Sequence, residues 1–147
     1  MKKLLLITVL LVSMIGAVAC DKQADDMKSN GSDIKNQVVL YYFHTDRRCK
    51  TCKKIEETAS DLVNNYFADA VKSGKLSFKQ LNIDRQENLA MSIEYEAAGS
   101  KLCIADYDND GKKIITDLTD FAFTNAFSEE KFKPGIKAAI EKVLSMK

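Results

Sequence analysis

Val38-Val39-Leu40-Tyr41-Tyr42-Phe43, then His44-Thr45-Asp46-Arg47-Arg48, then Cys49-Lys50-Thr51-Cys52 is the stretch that decides the fold. Its first six residues are all aliphatic or aromatic, with no polar interruption. An apolar run that short predicts a strand covered on both faces, as in a parallel or mixed sheet. Thr45-Asp46-Arg47-Arg48 breaks the strand. From about Cys49 to Lys72, Ile55, Ala59, Leu62, Val63, Tyr66, Phe67 and Ala70 recur at helical spacing and predict one long amphipathic helix. Ser73-Gly74 ends it, with glycine as the C-terminal cap.

Downstream, Leu76 to Ile83 alternates and predicts a second strand. Glu87 to about Tyr95 reads as a short helix carrying Leu89, Ile93 and Tyr95, and Ala98-Gly99-Ser100 breaks it. Lys101–Tyr107 and Lys112–Leu118 read as strands joined by the hairpin turn Asp108-Asn109-Asp110-Gly111. Asp106, Asp108, Asp110, Gly111 and Asp117 match part of a calcium loop. Lys113 stands where such a loop needs an apolar residue, and strands rather than helices flank it, so a turn is expected. Ser128 is placed to cap a last helix reaching about Ser145, with Glu129-Glu130 at its start and Lys147 at its end. Pro134-Gly135 predicts a kink in that helix or a later start. Phe121, Phe123, Phe127 and Phe132 are expected to pack a helix on the sheet, a partner surface being the other use.

This order, βαβ followed by ββα, predicts an α/β domain: a four-stranded mixed sheet flanked by helices on both faces. It is the core arrangement of the thioredoxin fold.

The chain has 147 residues, 46% of them apolar, which suits one domain plus a targeting segment. A formal net charge of +1 gives no electrostatic case for nucleic acid. Lys2 and Lys3 precede the uncharged, mostly apolar stretch Leu4–Ala19. That stretch is shorter than the roughly 20 residues a spanning helix needs and suits a signal segment. Gly16-Ala17-Val18-Ala19-Cys20 resembles a bacterial lipoprotein cleavage site. The resemblance implies a signal peptide over 1–19, lipidation of Cys20, and a protein anchored to a bacterial membrane outside the cytoplasm. The alternatives are a plain signal peptide and an uncleaved anchor segment, in which Cys20 is an inert apolar residue. Residues 20–36 are polar and read as a flexible tether, leaving 37–147 as the folded domain.

Cys49 and Cys52 carry the candidate chemistry. A CxxC alone also occurs in zinc sites, but those need four ligands, and only Cys103 and the lone His44 remain in the domain. Strand–CxxC–helix within βαβ is the context of a redox dithiol. Cys49 would sit at the helix start, where N–H groups and the dipole favour a thiolate, and Cys52 one turn deeper. Arg47, Arg48, Lys50, Lys53 and Lys54 add positive charge; each would stabilise that thiolate, or else be solvated. Such settings lower a cysteine pKa from about 8.5 into a range of about 3.5 to 7.5. Three uses stay open: a thiol–disulfide oxidoreductase, a carrier of copper or another soft ion through Cys49, Cys52, His44 and Cys103, and an interaction module with a structural disulfide. His44 reads as a proton shuttle or ligand, or as a strand-end side chain bonded to backbone. Cys103 reads as a buried small hydrophobe, or as a resolving thiol or ligand.

Tyr41-Tyr42-Phe43-His44 before Arg47-Arg48-Cys49-Lys50-Thr51-Cys52, with Leu118-Thr119-Asp120-Phe121 and the last helix, resembles a family of small bacterial thioredoxin-like proteins, some described as a nitrophenyl-compound nitroreductase subunit. The resemblance implies the fold and a CxxC centre. In the oxidoreductase reading Cys49 is the nucleophile, Cys52 the resolving sulfur, and the disulfide itself stands in place of a bound cofactor. Arg48, Lys50 and His44 would support it, and Gly99 and Ser100 would face the substrate. Partners would be client proteins or small-molecule disulfides and a membrane electron donor or oxidant. Four positions depart from ordinary thioredoxins. Arg48 replaces an aromatic residue, Lys50-Thr51 replaces Gly-Pro, Phe43 replaces a buried acid, and Ala98-Gly99-Ser100 replaces a loop that ends in cis-proline.

Overall fold

The computed structural model describes residues 37–108 and 110–147. The expected signal peptide over 1–19, the tether over 20–36 with Cys20, and Asn109 of the hairpin turn lie outside these residues.

Four strands form one mixed sheet: β1 (Val38–His44), β2 (Leu76–Asn82), β3 (Lys101–Tyr107) and β4 (Lys113–Asp117), in the order β2-β1-β3-β4. β1 pairs parallel with β2, Val38 opposite Leu76 and His44 opposite Asn82. It pairs antiparallel with β3, Phe43 opposite Lys101, and β3 pairs antiparallel with β4, Cys103 opposite Asp117. The unbroken apolar run therefore occupies a central strand, where both faces need covering. The helices are α1 (Lys50–Asp61), α2 (Ala68–Lys72), α3 (Leu89–Glu94), α4 (Thr119–Asn125) and α5 (Glu129–Leu144). This is the thioredoxin-like arrangement that the element order predicts.

The alternation of β1 divides the core in two. Val38, Leu40 and Tyr42 face α1, α4 and α5, and pack with Ile55, Ala59, Ala122, Phe132, Ile136 and Ile140. Val39, Tyr41 and Phe43 face the other way and pack with Cys103, Ala105 and Tyr95. At roughly 25 cal/mol per Å² of apolar surface removed from water, these two layers are the main stabilising contribution.

The structure differs from the sequence reading at four places. The helix expected over 49–72 is interrupted by a π-helical turn at Leu62–Tyr66. That wider turn advances the register, so Phe67 is buried while Tyr66 stays 54% exposed. Gly74, at φ +74°, follows α2 in the left-handed conformation that suits glycine. α4 is an element the sequence reading did not separate; its buried positions are Ala122 and Ala126, too small to mark an apolar stripe. Of the four phenylalanines expected in the core, only Phe132 is fully buried; Phe121, Phe123 and Phe127 are 37%, 36% and 70% exposed. Ser128 holds the N-cap position of α5 without a side-chain capping bond, and α5 runs continuously from Glu129 through Pro134.

β3 and β4 pair as the two arms of the expected hairpin. Asp108 Oδ1 accepts the N–H groups of Asp110 and Lys112 at 3.0 and 2.8 Å, which occupies it as a turn acceptor.

Candidate functional site

β1 ends at His44, and the chain turns through Thr45–Arg48 before α1 begins at Lys50. Cys49 is the N-cap of α1, in extended conformation, and its Sγ accepts the backbone N–H of Cys52 at 3.2 Å. A sulfur in this position takes one of the N–H groups that a helix start leaves without a partner, at the positive end of the dipole. Cys49 and Cys52 are joined as a disulfide, with Cα atoms 5.2 Å apart. Cys49 is exposed, whereas Cys52 is only 7% exposed. The two sulfurs are thus unequal in the way exchange chemistry uses: one reachable, one sheltered.

Two strands contribute groups to Cys52. Tyr42 on β1 donates its hydroxyl to the Cys52 carbonyl at 2.8 Å. The Phe43–Lys101 register brings Ser100, just before β3, level with the end of β1. From there the Ser100 hydroxyl donates to Cys52 Sγ at 3.5 Å. Gly99 and Ser100 also line a pocket of about 290 Å³ shared with Lys101, Asp117, Thr119 and Asp120. The Lys101–Asp117 ion pair, 3.1 Å, is part of its lining. Burial pushes the Asp117 carboxyl up, but bonds from Thr119 and Lys101 outweigh it and hold the group below its ordinary value.

The positive charge around the motif is smaller than the sequence suggests. Arg48 pairs with Glu56 in the second turn of α1, and Lys54 pairs with Glu129 of α5 at 2.7 Å. Arg47, Lys50 and Lys53 form no ion pair among the described residues and are exposed. Solvent screens such charges, so the helix start outranks them in favouring a Cys49 thiolate.

His44 lies on the Tyr42 side of β1, with ring centroids 6.2 Å apart, and its Nδ1 is 3.0 Å from the Thr45 carbonyl. This is the strand-end arrangement bonded to backbone. Cys103 is not brought to the dithiol. It is fully buried on the opposite face of the sheet, against Tyr41 and Tyr95, and burial pushes its thiol up to about 12. Among the described residues no group of three or more His, Cys, Asp or Glu side chains is placed to hold a metal ion. Cys103 therefore drops out of the four-residue ligand set considered from sequence, because the sheet separates it from Cys49 and Cys52.

A network missed at the sequence level fastens the loop before Cys49. Asp46 Oδ1 accepts from Asn82 at 2.7 Å and from Arg85 at 3.2 Å, while the Asp46 N–H donates to Asp84 Oδ2 at 2.7 Å. Polar residues after each of two parallel strands are the only signal, and the register of β1 and β2 is needed to read it.

Among the described residues no helix is long and apolar enough to cross a membrane. No protein-family model matches the chain, and no curated protein matches it. Among solved structures, one known as "Structure of a malarial protein" aligns with 61% of this chain and 96% of its own, at 16% identity and a TM-score of 0.37. That likeness is too distant to carry an argument about fold or function.

Proposed function

We propose that the protein is a thiol–disulfide oxidoreductase acting outside the cytoplasm from a lipid anchor at Cys20. The observation that carries the redox reading is the asymmetry of the pair: an exposed Cys49 sulfur capping α1, bonded to a sheltered Cys52. In the reduced protein, the Cys49 thiolate attacks one sulfur of a client disulfide. A Cys49–client bond forms, the client S–S bond breaks, and the departing client sulfur leaves with the electron pair and takes up a proton. Cys52 then displaces the remaining client sulfur from Cys49. Two electrons pass to the client, and the dithiol becomes the disulfide. A membrane electron donor returns it to the dithiol; an oxidant in that place would run the same steps in reverse.

The place of Cys49 at the positive end of α1 and the resemblance to small thioredoxin-like proteins support this reading. The polar stretch 20–36 would give the domain reach from the membrane.

The test uses the full chain in detergent with insulin disulfides and a chemical reductant. Wild type should accelerate insulin reduction, Cys49→Ser should abolish the acceleration, and Cys52→Ser should accumulate a Cys49–client adduct visible by mass. Equal activity in wild type and Cys49→Ser would remove the assignment.

A further inference from the structure

Cys52 must become nucleophilic in a place where water is scarce. No carboxylate forms a hydrogen bond to its sulfur among the described residues, and Phe43, six residues before Cys49, is buried on the opposite face of the sheet. The polar group at the sulfur is the Ser100 hydroxyl, 3.5 Å away and donating. Ser100 is partly buried, and its neighbour is Tyr42. Burial pushes the Tyr42 phenol up, while the nearby Ser100 hydroxyl and the Arg48 guanidinium pull it back. Tyr42 in turn holds the backbone of Cys52 through the carbonyl. The other charged or titratable groups at this end of the sheet are the Arg48–Glu56, Lys101–Asp117 and Arg85–Asp46 pairs, His44, Glu96 and Asp120 beside Ser100, and the exposed Arg47, Lys50 and Lys53.

We propose that Ser100 is a catalytic residue of the resolving step, its hydroxyl stabilising the Cys52 sulfur as an anion, with Tyr42 as the positioning residue. This rests on the dithiol acting in exchange. In that step the Cys52 thiol releases its proton to solvent and its sulfur attacks Cys49 Sγ of the mixed disulfide. The Cys49–Cys52 bond forms as the Cys49–client bond breaks. The client sulfur leaves with the electron pair and is protonated, while Ser100 donates a hydrogen bond throughout and ends with its own proton. A hydrogen bond offered only by a serine hydroxyl favours the anion without introducing a second charge into a sheltered site.

The experiment has two arms on the full chain in detergent. In a Cys49→Ser background, the rate of iodoacetamide alkylation of Cys52 is followed against pH, with and without Ser100→Ala. The apparent pKa should rise by about one unit in Ser100→Ala, and Ser100→Thr should restore it. With both cysteines present, release of fluorescent glutathione from the Cys49 mixed disulfide should slow about tenfold in Ser100→Ala and recover in Ser100→Thr. An unchanged Cys52 pKa in Ser100→Ala, or a defect that threonine fails to repair, overturns the role of Ser100. A wild type that never releases glutathione strikes the exchange reading itself, and the alkylation arm still reports on the Ser100 contact.

Discussion

The Tyr42 hydroxyl donates to the carbonyl of Cys52 at 2.8 Å, joining the central strand to the first turn of α1 across ten residues of chain. Tyr42 is fully buried, and its ring packs in the larger core layer while its hydroxyl reaches the dithiol segment. Strand and helix start are thereby fixed to one another at the point where the two sulfurs meet.

Tyr42→Phe keeps the ring and removes that bond. The variant should lose about 1 kcal/mol of stability, the usual worth of one buried neutral hydrogen bond. Urea denaturation of wild type and variant measures it. No loss at all would mean that the hydroxyl is as well satisfied by water as by Cys52.

Asp46→Ala should act on the loop rather than on the fold. Its partners Asn82, Asp84 and Arg85 are at the surface, and exposed polar contacts of this kind contribute about 0–1 kcal/mol. The expected signature is faster amide exchange at residues 45–48 with global stability nearly unchanged. Exchange that stays as slow as in wild type would show that other contacts hold the loop.

The parts of this molecule that the sequence discloses are those written in neighbouring residues. The run Val38–Phe43, the CxxC after it and the glycine after α2 each state a local rule, and all three appear in the fold. The parts it conceals depend on partners far along the chain. Lys54 reads as a cation beside the dithiol until Glu129 is found against it, 75 positions away. Ser100 reads as a substrate-facing loop residue until the strand register brings it to Cys52, 48 positions away. Cys103 reads as an available ligand until the alternation of β3 turns it to the other face. The π-helical turn at Leu62–Tyr66 escapes for a different reason: an inserted residue leaves the apolar spacing almost intact, yet keeps Phe67 in the core and turns Tyr66 out of it.

Cys103 gives a pH prediction. Burial raises its thiol from the ordinary 9.0 to about 12 in the folded state. Between those values the unfolded chain releases a proton that the folded chain keeps, so stability falls as pH rises through that window. Cys103→Ala should lose some stability near pH 7, from the cavity, but show a shallower fall on the alkaline side. Tyrosines away from Cys103 cancel in the difference between the two proteins; Tyr95, whose phenol the Cys103 charge helps to raise, does not. The native thiol should also resist Ellman's reagent near neutral pH and react on unfolding; rapid native reaction would place Cys103 nearer the surface than the sheet allows.

Phe127 and Phe132 separate two ways of packing the C-terminal helices. α5 puts Phe132, Ile136, Ile140 and Val143 inward, so its buried face is built from large side chains. α4 meets the core through Ala122 and Ala126, which let its backbone approach closely and leave the neighbouring phenylalanines outside. The ring of Phe121 accordingly lies over Gly135 of α5, where an added methyl group would overlap it. Phe132→Ala should therefore cost about 3–5 kcal/mol through a large cavity. Phe127→Ala, at a site 70% exposed, should change stability by no more than about 0.5 kcal/mol. Chemical denaturation of both variants decides the matter: comparable losses would mean that Phe127, in the turn between α4 and α5, is packed against the core.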